Sequence, residues 1–271
     1  MGCSKKKKDI RFGMVTDLHY AKIDARPGKT RYYRDSVTKL RNAIKEFNAQ
    51  DLDFIIELGD LKDQALNADK AETLNYLKAI ENEFQQFKGP VYHVLGNHDM
   101  DCISKSEFLA NITNTGQAET KAYYSFQMKG LKFIVLDANY LEDGSHYDSG
   151  NFEWFDSNIP ESQLKWLNEE LVNANQPCVI FVHQQIDSFH RHNDPHCVKN
   201  AKAVRDILEA NENVLAVFQG HNHCGGYQHH NGIHYYTLKA MVEGPAPESS
   251  YAIAHISSEK NLYFKAYLHH A

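Results

Sequence analysis

Short apolar runs rich in β-branched residues recur along the whole chain. Runs of four to seven such residues predict strands. They place strands at 10–16, 54–57, 91–94, 123–128 and 133–136, and a later set at 179–182, 215–218, 234–237, 251–256 and 262–267. Between them the apolar spacing changes to that of a helix. Val37, Leu40, Ile44 and Phe47 share one face of a segment at 33–47. Leu74, Leu77, Ile80, Phe84 and Phe87 do the same at 71–87. Shorter helices fit 104–111, 161–172, where Pro160 suits a first turn, and 201–209.

Early strands that alternate with helices predict an α/β core with parallel strands. The helix-poor stretch from His234 onward predicts antiparallel strands, and Gly130 and Asn231-Gly232 stand where hairpin turns are needed. No repeat, low-complexity tract or linker interrupts the pattern, so the expectation is a basic tail at 1–9 and one domain at 10–271. The segment 139–159 reads as a long aromatic loop with Tyr140, Tyr147, Phe152, Trp154 and Phe155; loops of that length are usually functional.

Composition narrows the function classes. Of 271 residues, 42% are hydrophobic and 24% charged, which argues against disorder and against a fibrous repeat. The longest apolar runs, at 178–182 and 214–218, fall far below the roughly 18 residues of a membrane span. The net charge is −6, but the lysines at 5–8 contribute +4 and leave −10 for the rest. So acidic a body is poorly suited to holding long nucleic acid. Cys3, Cys102, Cys178, Cys197 and Cys224 form no CxxC pair, and the odd number favours reduced thiols. Cys102 and Cys197 have no neighbouring pattern that would make them nucleophiles.

The N-terminus, Met1-Gly2-Cys3-Ser4 before the lysines, admits three readings. One is myristoylation at Gly2, although Lys6 stands where that signal has Ser or Thr. Another is an acylated Cys3 after removal of a leader, and the third is a solvated basic tail. The expectation is a soluble domain, cytoplasmic or lipid-anchored through Gly2 or Cys3, with membrane contact only in the anchored case.

The 16 histidines carry the chemistry. Five times an apolar run ends in residues able to bind a metal: Asp17-Leu18-His19, Gly59-Asp60, Gly96-Asn97-His98-Asp99, His183, and Gly220-His221-Asn222-His223. In α/β sheets, ligands bind beyond the carboxyl ends of strands, where such loops converge. An Asp after a strand is commonly a cap, and a lone His183 is weak evidence; five such endings in order are not.

These motifs resemble the signature of the calcineurin-like metallophosphoesterases, over most of the chain from Asp17 to His223. The resemblance implies a four-layer α/β/β/α sandwich of two mixed β-sheets flanked by helices. It implies two divalent ions bridged by Asp60, one held by Asp17, His19 and His223, the other by Asn97, His183 and His221. Mixed nitrogen and oxygen donors suit Mn²⁺, Fe or Zn²⁺. Ions sharing a carboxylate at ~3.5–4 Å would activate a bridging water to attack phosphorus in line. His98 then donates a proton to the leaving oxygen, with Asp99 orienting its ring.

A narrower resemblance runs through the Thr30–Ser36 stretch, Gly59-Asp60-Leu61-Lys62-Asp63, the 162–168 stretch, Gly225-Gly226-Tyr227 and the 238–250 stretch. It points to the manganese-dependent ADP-ribose/CDP-alcohol diphosphatases, which cleave a pyrophosphate bond in nucleotide adducts. That branch has glutamine where His19 stands and an acidic residue where Cys224 stands. The match suggests Tyr32, Tyr33, Arg34 and Tyr227 as substrate contacts. His190, His192, Asp194 and His196 read as a polar loop at the rim. The expected function is hydrolysis of phosphodiester or pyrophosphate bonds in a small nucleotide-type substrate. The shared motifs also allow a cyclic-nucleotide phosphodiesterase or phosphomonoesterase. A non-catalytic metal-binding scaffold is the alternative from another class; it should have lost ligands, and every one is present.

Overall fold

The computed structural model describes residues 9–25, 27–118, 120–188 and 194–269. In chain order its elements are β1 (Ile10–Val15), α1 (Ser36–Asn48), β2 (Phe54–Glu57), α2 (Lys70–Phe84), β3 (Val91–His93), α3 (Lys105–Leu109), β4 (Tyr124–Met128) and β5 (Leu131–Val135). They continue with α4 (Glu161–Val172), β6 (Cys178–Phe181), α5 (Ala201–Glu209), β7 (Val214–Gln219), β8 (Gly226–His230), β9 (Ile233–Thr237), β10 (Ser249–Ile256) and β11 (Leu262–His269). One sheet has the order β11-β10-β1-β2-β3, the other β4-β5-β6-β7-β9-β8. Both are mixed, as expected. β1, β2 and β3 run parallel, and so do β5, β6, β7 and β9. β10 and β11 are antiparallel.

The departures have local causes. β9 lies antiparallel to β8 but parallel to β7, so the late strands are not uniformly antiparallel. β8 was not expected, because Gly-Tyr-Gln-His-His has no apolar alternation and is largely exposed. The first helix begins after a single 3-10 turn at Tyr33–Asp35. α2 ends at Phe84, yet Phe87 stays buried by folding back through its N–H to the Phe84 carbonyl. No described helix is long and apolar enough to cross a membrane.

Strand periodicity sorts the core into three layers. Phe12, Phe54, Ile56, Val179, Phe181, Ala216 and Phe218 fill the space between the sheets. The intervening Ile55 packs outward under α1 and α2, and Ile180 and Val217 pack outward under α4 and α5. Phe12 is central to the middle layer: it stacks on Phe54 at 4.8 Å and meets Phe133, Phe181 and Phe218 edge-on at 5.7, 5.9 and 5.7 Å. This one ring ties the first sheet to three strands of the second.

Joining the sheets face to face brings the carboxyl ends of β1, β2, β3, β6 and β7 to one edge, where their loops interlock. A Cβ on Gly96 would fall 2.2 Å from the Asp60 nitrogen, so only glycine lets the loop after β3 lie against the loop after β2.

Two outcomes follow from this packing. Phe12→Ala should lower unfolding stability by about 3–5 kcal/mol, read as a lower urea midpoint with little change in slope. Gly96→Ala should cost about 1–3 kcal/mol through overpacking, read as a lower Tm.

Candidate metal centre

The loops that leave the five strands are held by each other's backbones. The N–H groups of Asp17 and His19 donate to the carbonyls of Gly59 and Asp60 at 3.0 and 2.8 Å. The Asp60 carboxylate accepts the His98 backbone N–H at 2.7 Å, and Asp17 Oδ2 accepts the His221 N–H at 3.1 Å. Asp17, His19, Asp60 and His221 all adopt left-handed backbone, with φ of 51°, 46°, 59° and 66°. Non-glycine residues in such conformations are strained by about 1–3 kcal/mol each and persist where surrounding structure holds them for a function.

The side chains converge. Asp17, His19 and His223 bring one ligand atom each within 4.8 Å of one another, and so do Asp60, His183 and His221. Asp60 Oδ2 lies between the two groups, 3.5 Å from His19 Nε2 and 3.3 Å from His183 Nε2. Asp17 Oδ1, Asn97 Oδ1, His183 Nε2 and His221 Nε2 are buried with no hydrogen-bond partner. A buried polar atom left unpaired costs about 1–3 kcal/mol. Four of them facing one space, with carboxylate and imidazole chemistry, fit the ligands of divalent cations. Ring orientations support this. His183 Nδ1 donates to the Leu58 carbonyl at 2.7 Å and His223 Nδ1 to Glu243 at 2.6 Å, so each ring in its neutral form presents the Nε2 lone pair to the cluster.

Charge is balanced within the cluster. Burial opposes ionisation of Asp60, but His183, His98 and His19 outweigh it and hold the carboxyl well below its usual range. Burial likewise opposes charge on His183, yet Asp60 raises it to about 9. His221 moves the other way: burial, then the charge of His183, push it down to about 3 and keep it neutral. Glu243 is held at about 2, chiefly by the hydrogen bond from His223.

The side chain near the His98 ring is not that of Asp99. His98–Met100 is a 3-10 turn, so consecutive side chains diverge. The fully buried Asp99 instead accepts the N–H groups of Gly96, Asp60 and Leu61 at 2.8, 3.1 and 3.0 Å, clamping two loops together. Asp63 lies 3.5 Å from His98 Nδ1, and its other oxygen lies 3.4 Å from His19 Nδ1. Its place in Gly59-Asp60-Leu61-Lys62-Asp63, three residues beyond Asp60, was the available signal.

A cleft of about 370 Å³ opens over the cluster, lined by His19, Asp60, Asn97, His98, His221 and His223 and by Arg31, Phe152, Trp154 and His196. Tyr147, buried at the base of the aromatic loop, donates to the carbonyls of Glu153 and Asp156 and so fixes the loop. Trp154 then stands 6.1 Å from the His221 ring and Phe152 5.4 Å from the His98 ring. His196 reaches the cleft wall, while His190 and His192 lie outside the described residues.

Tyr32, Tyr33 and Arg34 do not line this cleft. Arg31 pairs with Glu243 in a β-bridge and faces it, after which the 3-10 turn carries the chain away. Arg34 pairs with Asp24 at 2.8 Å, and Tyr33 packs on the helix-side core. Tyr227 is exposed in a neighbouring groove with Gln185, Asp187 and Asn222.

Comparison with known proteins agrees with the geometry. The family model for calcineurin-like phosphoesterases matches residues 10–225. Manganese-dependent ADP-ribose/CDP-alcohol diphosphatases from Arabidopsis thaliana and Oryza sativa subsp. japonica are 27% and 28% identical to this chain, over 96% of it and 94% and 92% of theirs. A dimetal phosphatase structure from Danio rerio superposes with a TM-score of 0.79 at 23% identity, covering 95% of each chain. Strand order, ligand convergence and family match agree: the chain belongs to the calcineurin-like phosphoesterase family, as a metal-dependent phosphoester hydrolase.

Proposed function

We propose that this enzyme hydrolyses the pyrophosphate bond of small nucleotide adducts of the ADP-ribose or CDP-alcohol type. The observation that carries the reading is the cleft itself: unpartnered ligand atoms at its floor, an aromatic wall, and one guanidinium. The names of the relatives, alike over almost the whole chain, favour the same substrate class and manganese.

Asp17, His19 and His223 would hold one cation and Asn97, His183 and His221 the other, with Asp60 shared. When bound, two such cations supply a water nucleophile at neutral pH and positive charge for the phosphoryl oxygens. Arg31 is the one lysine or arginine lining the cleft among the described residues, and its half-exposed guanidinium, 4.0 Å from Glu243, would face a second phosphate. Trp154 and Phe152 offer faces on which a nucleobase stacks. His98, partly open to the cleft, gives a proton to the leaving oxygen, with Asp63 rather than Asp99 beside its Nδ1. The His98 backbone N–H is anchored on the Asp60 carboxylate, which holds the proton donor beside the ligand cluster.

With Mn²⁺, ADP-ribose or a CDP-alcohol should be cleaved with higher kcat/KM than a phosphomonoester or a cyclic nucleotide. Equal or faster cleavage of those would place the enzyme elsewhere in the family. Base stacking contributes roughly 1–3 kcal/mol, so Trp154→Ala should raise KM for nucleotide substrates by ~5–150-fold and leave a dialkyl phosphodiester unaffected.

His98→Ala should retain its metals while slowing an alkyl phosphodiester by ~10²–10⁴-fold and a nitrophenyl ester much less, because nitrophenolate departs without a proton. An equal loss on both esters would point to charge stabilisation instead. Loss of metal would make His98 a ligand.

A further inference from the structure

The segment 240–244, between β9 and β10, joins the metal loops to the substrate side of the cleft. The Ala240 N–H donates to the His223 carbonyl, and the N–H groups of Met241 and Val242 donate to Thr16 and Asp17, at 3.2, 3.0 and 3.0 Å. From the other edge, the Tyr32 N–H donates to Val242 at 2.9 Å and the Gly244 N–H to Thr30 at 2.9 Å. This strap therefore binds the backbones of two ligand loops and of the stretch bearing Arg31.

Its only carboxylate in that span, Glu243, accepts from His223 Nδ1 at 2.6 Å and lies 4.0 Å from Arg31 Nε. Beneath the strap the fully buried ammonium of Lys39, on α1, lies within hydrogen-bond distance of the carbonyls of Met241, Val242, Glu243 and Gly244. A buried cation needs such partners, so moving the strap would leave the Lys39 ammonium without the carbonyls that satisfy it. The contrast with His183 is informative. That ring is oriented by the neutral carbonyl of Leu58, whereas His223 is oriented by a carboxylate, which makes a stronger, charge-assisted bond.

We propose that Glu243 is a positioning residue for the metal centre, setting the tautomer and aim of His223, and that Lys39 holds it there by pinning the strap. The proposal rests on the assignment of His223, with Asp17 and His19, to one of two cations. It makes the affinity of that cation depend on the strap, while the cation held by Asn97, His183 and His221 does not. No such role was legible in the sequence, because Lys39 and Glu243 stand far apart in a chain rich in both residue types.

The test is calorimetric titration of Mn²⁺ into metal-free full-length protein, wild type and variants. Wild type should take up two equivalents, and His223→Ala should identify the equivalent that depends on His223. Glu243→Gln keeps an acceptor and loses the charge; Glu243→Ala loses both. The same equivalent should weaken by ~10–100-fold in these variants, more in Ala than in Gln, with the other unchanged. Activity of Glu243→Gln should return toward wild type at saturating Mn²⁺, a rescue that a merely misfolded variant would not show. Lys39→Met, compared only if its circular dichroism is native, should weaken the same equivalent.

Two wild-type equivalents with both unaltered in the Glu243 variants would overturn the positioning role. So would equal weakening of both equivalents with a lowered Tm, which is the mark of general destabilisation. Fewer than two equivalents in wild type would remove the two-cation assignment and the proposal with it.

Discussion

A buried carboxylate that must face imidazoles from both sheets is the constraint on which this structure depends. Asp60 Oδ2 sits within 3.5 Å of His19 and 3.3 Å of His183, one from each sheet. Buried charges of one sign are tolerated only beside the other or beside a metal ion. Every element of the site can be understood as a device for bringing the second kind of group to Asp60 without disturbing the first.

The fold meets that constraint in two ways. The layer of phenylalanines around Phe12 fixes the distance and angle between the sheets, so strand ends that are remote in sequence arrive at one edge in register. Backbone strain is then concentrated where it is useful. Asp17, His19, Asp60 and His221 are bent into left-handed conformations by hydrogen bonds between neighbouring loops, and Asp99 closes two of those loops with its own carboxylate. The strain and the unpaired donor atoms are unfavourable for folding and are offset by the core. A bound cation relieves the second of these terms, so metal and fold should stabilise each other.

The walls of the cleft are built on separate parts. The metal-competent residues stand on short turns after strands, tied to one another by backbone hydrogen bonds. Arg31, Phe152, Trp154 and His196 come instead from long connections. Such connections can change without disturbing the strand ends, which is how one metal-binding frame can serve different phosphoesters. The 240–244 strap is where the two parts meet, since it hydrogen-bonds to both.

The sequence by itself determined the alternation of strands with helices and the identity of the metal-competent residues, while the four layers were implied only by the family resemblance of those motifs. Strand periodicity and the repeated ending of apolar runs in Asp, His or Asn are local signals, and they needed no knowledge of long-range contacts. Tertiary structure decided what those signals cannot encode. β8 has no apolar alternation and exists because β9 pairs with it. Asp63, not Asp99, lies beside His98 because a 3-10 turn separates adjacent side chains. Arg31, not Arg34, faces the cleft because its bridge to Glu243 turns it there, and that pairing spans more than two hundred residues. Side-chain direction after a turn, and the partner found across the fold, depend on the whole packed chain rather than on any short window of it.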